Sequence, residues 1–194
     1  ITNAGKLYAA GYNTSGCIGN GTDFTATGSS GAYLTQSSGV LDAILMGDDS
    51  QTTGLCLFTD NTVKTVGYGL YGQRGDGTTT TNSYTWVSPV YTGGTTALSN
   101  IVEIQSNGFD NATTCYALDG AGKLWGWGWN AYGQLGTNNT TNQTKAVEIG
   151  FRSGFIITDF WACGGYLANS LFVKYDDDKI FSCGANASYQ IGHT

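Results

Sequence analysis

The feature that most constrains the fold of this 194-residue chain is an internal repeat. Four nine-residue segments, each beginning and ending with a glycine, align without gaps at 11–19, 67–75, 128–136 and 184–192. Their leading glycines are 56, 61 and 56 residues apart. Regular periods of this order are typical of solenoids and propellers, in which each unit stacks on the next. The repeat therefore has to be assigned before any domain boundary.

The residues around these glycine-led segments predict four short strands per repeat. Each segment follows a strand opened by a Gly, Asp or Asn turn, and an apolar strand precedes that turn, which predicts a hairpin. One further strand precedes the hairpin and one follows the segment. Four antiparallel strands in about 57 residues form one blade of a β-propeller, which buries its faces only against neighbouring blades. The predicted strands outside the turns are 43–46, 55–58, 84–87, 101–104, 115–118, 145–149, 158–161 and 171–173.

Composition agrees with an all-β fold. The chain has 30 glycines, one proline, 12 tyrosines and 5 tryptophans, and only 11% of its residues are charged. Helical bundles require abundant Ala, Leu, Glu and Lys, whereas short strands joined by glycine turns have the composition found here.

The copy at 123–136, Lys-Leu-Trp-Gly-Trp-Gly-Trp-Asn-Ala-Tyr-Gly-Gln-Leu-Gly, resembles the repeat of the regulator of chromosome condensation family. That repeat runs roughly Val-Tyr-x-Trp-Gly-x-Asn-x-x-Gly-Gln-Leu-Gly. The copy at 67–75 is also similar, whereas Cys17 replaces the expected Gln in the first copy and Tyr189 replaces the expected glycine in the last. The resemblance covers nearly the whole chain and implies a β-propeller of four-stranded blades.

We expect residues 1–194 to form a single propeller segment. The approximate repeats are 1–38 (partial), 39–97, 98–154 and 155–194 (partial), which amount to about three and a half blades. The resemblance implies a ring of about seven blades, or roughly 400 residues. Either a longer polypeptide or a second chain would complete it; the first is favoured because an open propeller edge exposes unpaired backbone. We expect the chain to be part of a longer polypeptide or a larger assembly.

The sequence offers no combination of residues that predicts catalysis, a metal site or a cofactor. The only histidine is His193, so neither a His-based triad nor a multi-histidine metal site can be assembled. The cysteines form no CxxC pair, although Cys163 and Cys183, which share a repeat, are the best candidates for a disulfide. The glycine-rich loops lack the Lys and helix of a phosphate loop. We predict a protein that is not an enzyme.

Charge argues against two classes of partner. The net charge is −6, and the eight Lys and Arg residues are scattered along the chain. Nucleic acids and anionic membrane surfaces require clustered cations, so neither is expected as a partner. No apolar run approaches the roughly 20 residues that span a bilayer, so no membrane insertion is expected. The acidic run at 176–178 lacks the alternating spacing of a calcium loop and falls where other repeats place a hairpin turn.

Three acidic residues are candidates for partner binding. Asp48, Asp49 and Asp110 fall in the corresponding loop of two successive repeats, after the first strand of each. Loops on one edge of a rigid scaffold often carry the binding residues. The alternative is that all three are ordinary polar loop residues.

Trp129 is the fourth candidate. Trp125, Trp127 and Trp129 alternate along a predicted strand, which places the three rings on one face. The family resemblance implies that the first two pack between blades, whereas Trp129 stands where a small residue is usual. Trp129 is therefore a candidate for sugar stacking or protein contact, and core packing is the alternative.

Together these features predict a binding or adhesion module that contacts a protein or a glycan through loops at one edge of the propeller. The Thr-, Asn- and Gly-rich, Lys-poor composition resembles repeats of this type in phage tail fibres and bacterial surface proteins. That resemblance implies a receptor-binding role on a virion or outside a cell, with the partner on a host or neighbouring surface. The alternatives are an intracellular regulator of the nucleotide-exchange or chromatin-binding type and a secreted protein inhibitor.

Overall fold

The computed structural model describes residues 1–9, 13–19, 39–47, 51–165 and 169–192. In these ranges the chain forms eleven strands in three antiparallel sheets and no helix, which confirms the all-β prediction. Blade 1 contains β1 (Val40–Met46), β2 (Thr53–Phe58), β3 (Val63–Tyr68) and β4 (Asn82–Val87). Blade 2 contains β5 (Ile101–Asn107), β6 (Thr114–Asp119), β7 (Leu124–Gly128) and β8 (Gln143–Ile149). Blade 3 contains β9 (Ile157–Cys163), β10 (Ser170–Tyr175) and β11 (Ile180–Gly184).

The hydrophobic core lies between the blades. One buried cluster joins Leu57 of blade 1 to Trp127 of blade 2, and another joins Leu124 of blade 2 to Phe160 of blade 3. The first strands β1, β5 and β9 contact one another in succession, so the blades converge along these strands. Each sheet therefore buries its faces against its neighbours, as a propeller requires.

One left-handed residue recurs in each turn that precedes a glycine-led segment. Gly5, Asn61, Gly122 and Asp178 occupy the same turn position and have φ values of 68°, 59°, 75° and 62°. Glycine adopts this conformation freely, and Asn and Asp tolerate it better than other residues. The Gly, Asp and Asn turns of the sequence are therefore set by the backbone that the hairpin needs.

The leading glycines are fixed by close packing. Gly67, Gly128 and Gly184 have φ values of 99°, 98° and 108°. A Cβ on any of them would lie within 2.6 Å of a backbone carbonyl oxygen. These positions accept only glycine, because both the φ angle and the space exclude a side chain.

The strands define two edges of the blade stack. The glycine rim carries the glycine-led segments and the β1–β2, β5–β6 and β9–β10 connections. The hairpin rim carries the β2–β3, β6–β7 and β10–β11 turns and the connections from each blade to the next.

All five cysteines are free thiols, so the best candidates for a disulfide, Cys163 and Cys183, do not form one. Cys163 lies on β9 and Cys183 on β11, with β10 between them. Two strand spacings amount to about 10 Å, which exceeds the Cα separation of about 7 Å that a disulfide can bridge. Membership of one repeat does not make two strands neighbours. Burial raises the pKa of the Cys183 thiol to about 12.

Candidate functional site

Two of the four predicted binding residues lie on the glycine rim of blade 2. Asp110 is in the connection between β5 and β6, and Trp129 is the first residue after β7. Asp48 and Asp49 lie outside the residues that the structure describes. The predicted site is therefore described only in its blade 2 part.

The backbone of Trp129 is held by the strand beside it. Its N–H donates to the Thr113 carbonyl oxygen at 3.0 Å, and its carbonyl oxygen accepts a hydrogen bond from Thr114 Oγ1 at 2.6 Å. The half-buried indole packs edge-to-face on Tyr132, with ring centroids 5.2 Å apart. Such edge-to-face pairs are a favoured aromatic geometry. The two rings form a fixed aromatic feature on the rim.

The prediction that three tryptophans share one face is wrong for Trp129. Gly128, with φ of 98°, turns the chain out of the strand before Trp129 is reached. Trp127 remains on the strand, is fully buried and donates its indole N–H to the Gln73 carbonyl oxygen of blade 1 at 2.9 Å. Trp125 also packs against the cluster between blades 1 and 2.

Blade 1 carries a second aromatic pair at the matching positions. Tyr68 and Tyr71 pack edge-to-face with centroids 6.5 Å apart. The pKa of Tyr68 is raised, chiefly by burial, and the neighbouring Tyr71 and the carboxylate of Asp110 raise it further. The carbonyl oxygen of the next residue, Asn111, accepts a hydrogen bond from Gln73 of the blade 1 segment, which places Asp110 of blade 2 beside this aromatic pair.

The junction of blades 1 and 2 at this rim also exposes apolar side chains. Leu70 is 40% exposed and Phe109 is 49% exposed. Below them, Gln73 Nε2 donates to the Asn111 carbonyl oxygen at 2.7 Å and ties the two blades together. Exposed apolar groups beside aromatic rings and a carboxylate are typical of contact surfaces.

Sequence reasoning missed the tyrosines of this rim. Tyr68, Tyr71 and Tyr132 stand at the second or fifth position of their glycine-led segments, as Trp129 does. An aromatic residue at both positions of two successive copies is the signal that could have identified them. The first and last copies carry Ser15 and Ser188 at the fifth position, so the feature belongs to blades 1 and 2.

On the hairpin rim, ion pairs hold the acidic turn of blade 3. Arg152 Nη1 lies 2.7 Å from Asp177 Oδ2, and Lys174 Nζ lies 2.7 Å from Asp178 Oδ1. The run at 176–178 forms the turn between β10 and β11. Over the described ranges, no three His, Cys, Asp or Glu side chains are grouped to hold a metal ion. The same ranges contain no helix with the length and hydropathy to cross a bilayer.

Comparisons with known proteins agree on the fold. The sequence pattern of the regulator of chromosome condensation (RCC1) repeat matches residues 121–168. The ultraviolet-B receptor UVR8 of Arabidopsis thaliana is 33% identical over 96 residues, which are 50% of this chain and 20% of the receptor. This match spans only a fifth of that relative.

Solved structures align over nearly the whole chain. Human WBSCR16 superposes with a TM-score of 0.70 and 19% identity, over 95% of this chain and 44% of that protein. Yeast RCC1 (Prp20), crystallised with Kap60, superposes with a TM-score of 0.62 and 19% identity, over 98% of this chain and 40% of that protein. A second structure, of Prp20p from Saccharomyces cerevisiae, was reported with that protein's binding to Gsp1p and histones. It superposes with a TM-score of 0.62 and 18% identity, over 98% of this chain and 42% of that protein. At these identities the likeness concerns the fold.

Proposed function

Because this chain belongs to the regulator of chromosome condensation family of β-propellers, we propose that it is a non-enzymatic module that binds another protein through its glycine rim. The observation that carries the proposal is the recurrence of an aromatic pair, Tyr68–Tyr71 and Trp129–Tyr132, at matching positions of adjacent blades. Asp110 lies at the junction between the two blades.

The chemistry of this rim favours a protein partner with basic side chains. Aromatic rings contribute large contact areas at a small cost in conformational entropy, and they are enriched among residues that dominate binding energy. The carboxylate of Asp110 favours a hydrogen-bond donor or a cation beside the rings. The net charge of −6 would also attract a basic partner. The likeness to yeast RCC1, which was crystallised with the protein Kap60, favours a protein over a glycan.

A finer part of the proposal concerns location. We infer a role on the surface of a virion or outside a cell, with the partner on a host or neighbouring surface. Its support is the composition, which combines 30 glycines with only eight Lys and Arg residues. Immunogold labelling of purified particles and of material recovered from the culture medium tests this location. Detection of the protein only inside cells would contradict this location.

The binding role can be tested with the whole chain as bait against a random-peptide display library and a glycan array. We expect peptides that carry Lys or Arg to be recovered. Trp129→Ala and Tyr71→Ala should each weaken their binding at least about 10-fold, because each removes one ring of an aromatic pair.

Asp176→Ala is the matched control, since Asp176 is exposed on the opposite, hairpin rim. Circular dichroism of each variant shows whether the fold is kept. Peptides that bind all variants equally would place the binding surface elsewhere. Rim-dependent binding of glycans without peptides would replace the protein partner by a carbohydrate.

A further inference from the structure

The hairpin rim of blade 3 holds a cation in a corner formed by aromatic rings. Tyr175 and Phe181 pack edge-to-face, with centroids 5.6 Å apart and planes at 88°. The Arg152 guanidinium carbon lies 5.7 and 5.6 Å from these two centroids, and the Phe155 ring closes a third side at 3.6 Å. Arg152 Nη1 donates to both carboxylate oxygens of Asp177, at 2.8 and 2.7 Å. This chain therefore binds a cation by combining angled aromatic rings with one carboxylate.

The glycine rim has the same combination of groups at the junction of blades 1 and 2. Tyr68 and Tyr71 pack edge-to-face with their planes at 65°, and Tyr68 is buried. Asp110 lies beside them, and its carboxylate is one of the causes that raise the pKa of Tyr68. The exposed ring of Phe109 precedes Asp110 in the chain. Two angled rings, a carboxylate and a third ring are thus assembled at this junction.

Residues 1–194 do not fill the second corner as Arg152 fills the first. The cation–π contacts of the described residues lie elsewhere, with Lys64 over Phe58, Lys123 over Trp125 and Arg152 over the rings of blade 3. The residues outside the described ranges include no Lys or Arg. A Lys or Arg side chain that binds at the glycine-rim corner therefore comes from outside residues 1–194.

We propose that this corner, formed by Tyr68, Tyr71 and Asp110 and here named the tyrosine corner, binds the methylated ammonium group of a lysine side chain in a partner protein. The inference rests on the proposed function, since it names the group that the glycine rim recognises. Aromatic rings that surround a cation are a known means of binding quaternary ammonium groups. In the following repeat Tyr166 takes the position of Asp110, so the sequence gives the second aromatic pair no carboxylate there.

The surroundings of the tyrosine corner favour a methylated cation over an unmodified one. An unmodified ammonium carries three N–H donors and a strongly bound hydration shell, and its donors need acceptors when they leave water. The exposed side chains of Leu70 and Phe109 at this junction are apolar and provide no acceptor. Methylation removes donors but keeps the charge that the rings and the Asp110 carboxylate attract.

The probes are three peptides, Gly-Gly-X-Gly-Gly, in which X is lysine, trimethyllysine or the neutral carbon analogue of trimethyllysine. Isothermal titration calorimetry with the whole chain measures their binding. We expect the trimethyllysine peptide to bind at least about 10-fold more tightly than the lysine peptide, because the lysine donors lose their water without gaining acceptors. It should also bind at least about 10-fold more tightly than the neutral analogue, which has the same shape but no charge to attract the rings.

Variants assign the binding to this corner. Tyr71→Ala should abolish the preference for trimethyllysine, whereas Tyr71→Phe keeps a ring and should retain it. Asp110→Asn should weaken binding about 3- to 10-fold because it removes the negative charge. Asparagine tolerates the left-handed φ of 56° at this position, so the loop should keep its conformation. Asp176→Asn is the matched control, since it removes an exposed carboxylate on the hairpin rim and should leave binding unchanged.

The outcomes separate this inference from the function on which it rests. Equal binding of the lysine and trimethyllysine peptides, or unchanged trimethyllysine binding by Tyr71→Ala, would overturn the inference and leave the glycine-rim function standing. Failure of the display library, whose peptides carry unmodified residues, would count against that function alone. Binding of phosphatidylcholine vesicles without binding of the trimethyllysine peptide would assign the corner to a choline head group and overturn the protein partner.

Discussion

Blade 2 contacts blade 1 on one side and blade 3 on the other. The two contacts have the same backbone arrangement, but different side chains pack in them. In the first, Trp127 Nε1 donates to the Gln73 carbonyl oxygen at 2.9 Å. In the second, Cys183 stands at the matching position and its Sγ lies 3.4 Å from the Gln134 carbonyl oxygen. A thiol fills far less space than an indole. The backbone arrangement is common to the repeats, whereas the side chain that packs against it can change.

Different side chains compensate for this difference at the second contact. Phe151 stacks on Phe181 with centroids 6.2 Å apart, and a Cβ on Gly136 would lie 2.6 Å from the Phe151 ring. The Phe151 ring thus lies against the glycine-led segment, where the Trp127 indole approaches Gly75 in the preceding copy. A phenylalanine from the connection to blade 3 takes over part of the space that the indole fills.

The two contacts also differ at the hairpin rim. The connection after blade 1 runs beside β8, where the Thr92 N–H donates to the Ala146 carbonyl oxygen at 2.8 Å and the Ala146 N–H to that of Val90 at 2.9 Å. The connection after blade 2 is held by Arg152, which pairs with Asp177 and lies 3.6 Å above the Phe155 ring. The connection after blade 2 also has backbone hydrogen bonds, such as that from the Ile157 N–H to the Gly122 carbonyl oxygen at 2.9 Å. The first contact adds backbone pairing with β8, and the second adds one charged side chain.

The largest expected effect comes from removing the residue that distinguishes the two contacts. Trp127→Ala should lower the free energy of unfolding by about 3–5 kcal/mol, because it deletes a fully buried indole. Cys183→Ala should lower it by about 1 kcal/mol. Urea unfolding measures both values. Equal decreases in the free energy of unfolding would mean that the shared backbone arrangement, and not the side chain at this position, stabilises the contact.

The glycine-led segments of the two blades use different residue pairs to organise the loop that follows. In blade 2, Asn130 Nδ2 donates to the Asn139 and Thr141 carbonyl oxygens at 3.0 and 3.1 Å, and Leu135 is buried. In blade 1 the counterparts are Gly69 and Arg74. The Arg74 guanidinium group enters the loop and hydrogen bonds to the hydroxyl groups of two threonines, Thr78 and Thr80.

Replacing the blade 1 pair by the blade 2 pair should show that the two positions of the pair are energetically coupled. A Cβ on Gly69 would lie 2.9 Å from the Thr80 carbonyl oxygen and 3.0 Å from Arg74 Cζ, so Gly69→Asn alone should cost about 1–3 kcal/mol. Arg74→Leu alone should cost about 1–2 kcal/mol, because two threonine hydroxyls lose their donor. The double variant reproduces the blade 2 pair and should cost less than the sum. A double-mutant cycle in urea measures the coupling, and strict additivity would contradict it.

The sequence predicted the blades well because the backbone requirements of a propeller are local. Left-handed turns and close-packed leading glycines restrict which residues are accepted, so the repeat is visible in one chain. The face of Trp129 was not predictable by alternation, since Gly128 ends the strand one residue earlier. The candidate pair Cys163 and Cys183 shows the same limit, because the spacing of two cysteines in the sequence does not give the order of the strands that carry them.

The candidate site was only partly predictable for a related reason. Asp110 was identified by the loop in which it lies, and Trp129 as a residue that departs from the family's repeat. The approach of Asp110 to Tyr68 depends on how two blades pack, which no single repeat specifies. Asp48 and Asp49 stay predictions. Sites at blade junctions are therefore harder to predict than the blades themselves.

The smallest expected effect tests the charged part of the second contact. The hydrogen bond from Arg152 is the main cause that lowers the pKa of Asp177 below its ordinary value of 3.8. Because the folded-state pKa is the lower one, pairing stabilises the fold above the ordinary pKa and is lost as pH falls through the folded-state value. Arg152→Met keeps an apolar stem over Phe155 but removes the hydrogen bond.

Wild-type chain and Arg152→Met should therefore differ in urea midpoint near neutral pH, and the difference should shrink below about pH 4. Lys179→Met is the matched control, because Lys179 also contacts Asp177, at 3.4 Å, but its side chain is 65% exposed. It should change the midpoint less, since exposed ion pairs contribute little. A difference for Arg152→Met that is the same at both pH values would assign this contact to the packing of Arg152 on the Phe155 ring. The two contacts between blades would then both depend on aromatic packing, and the charge would be incidental.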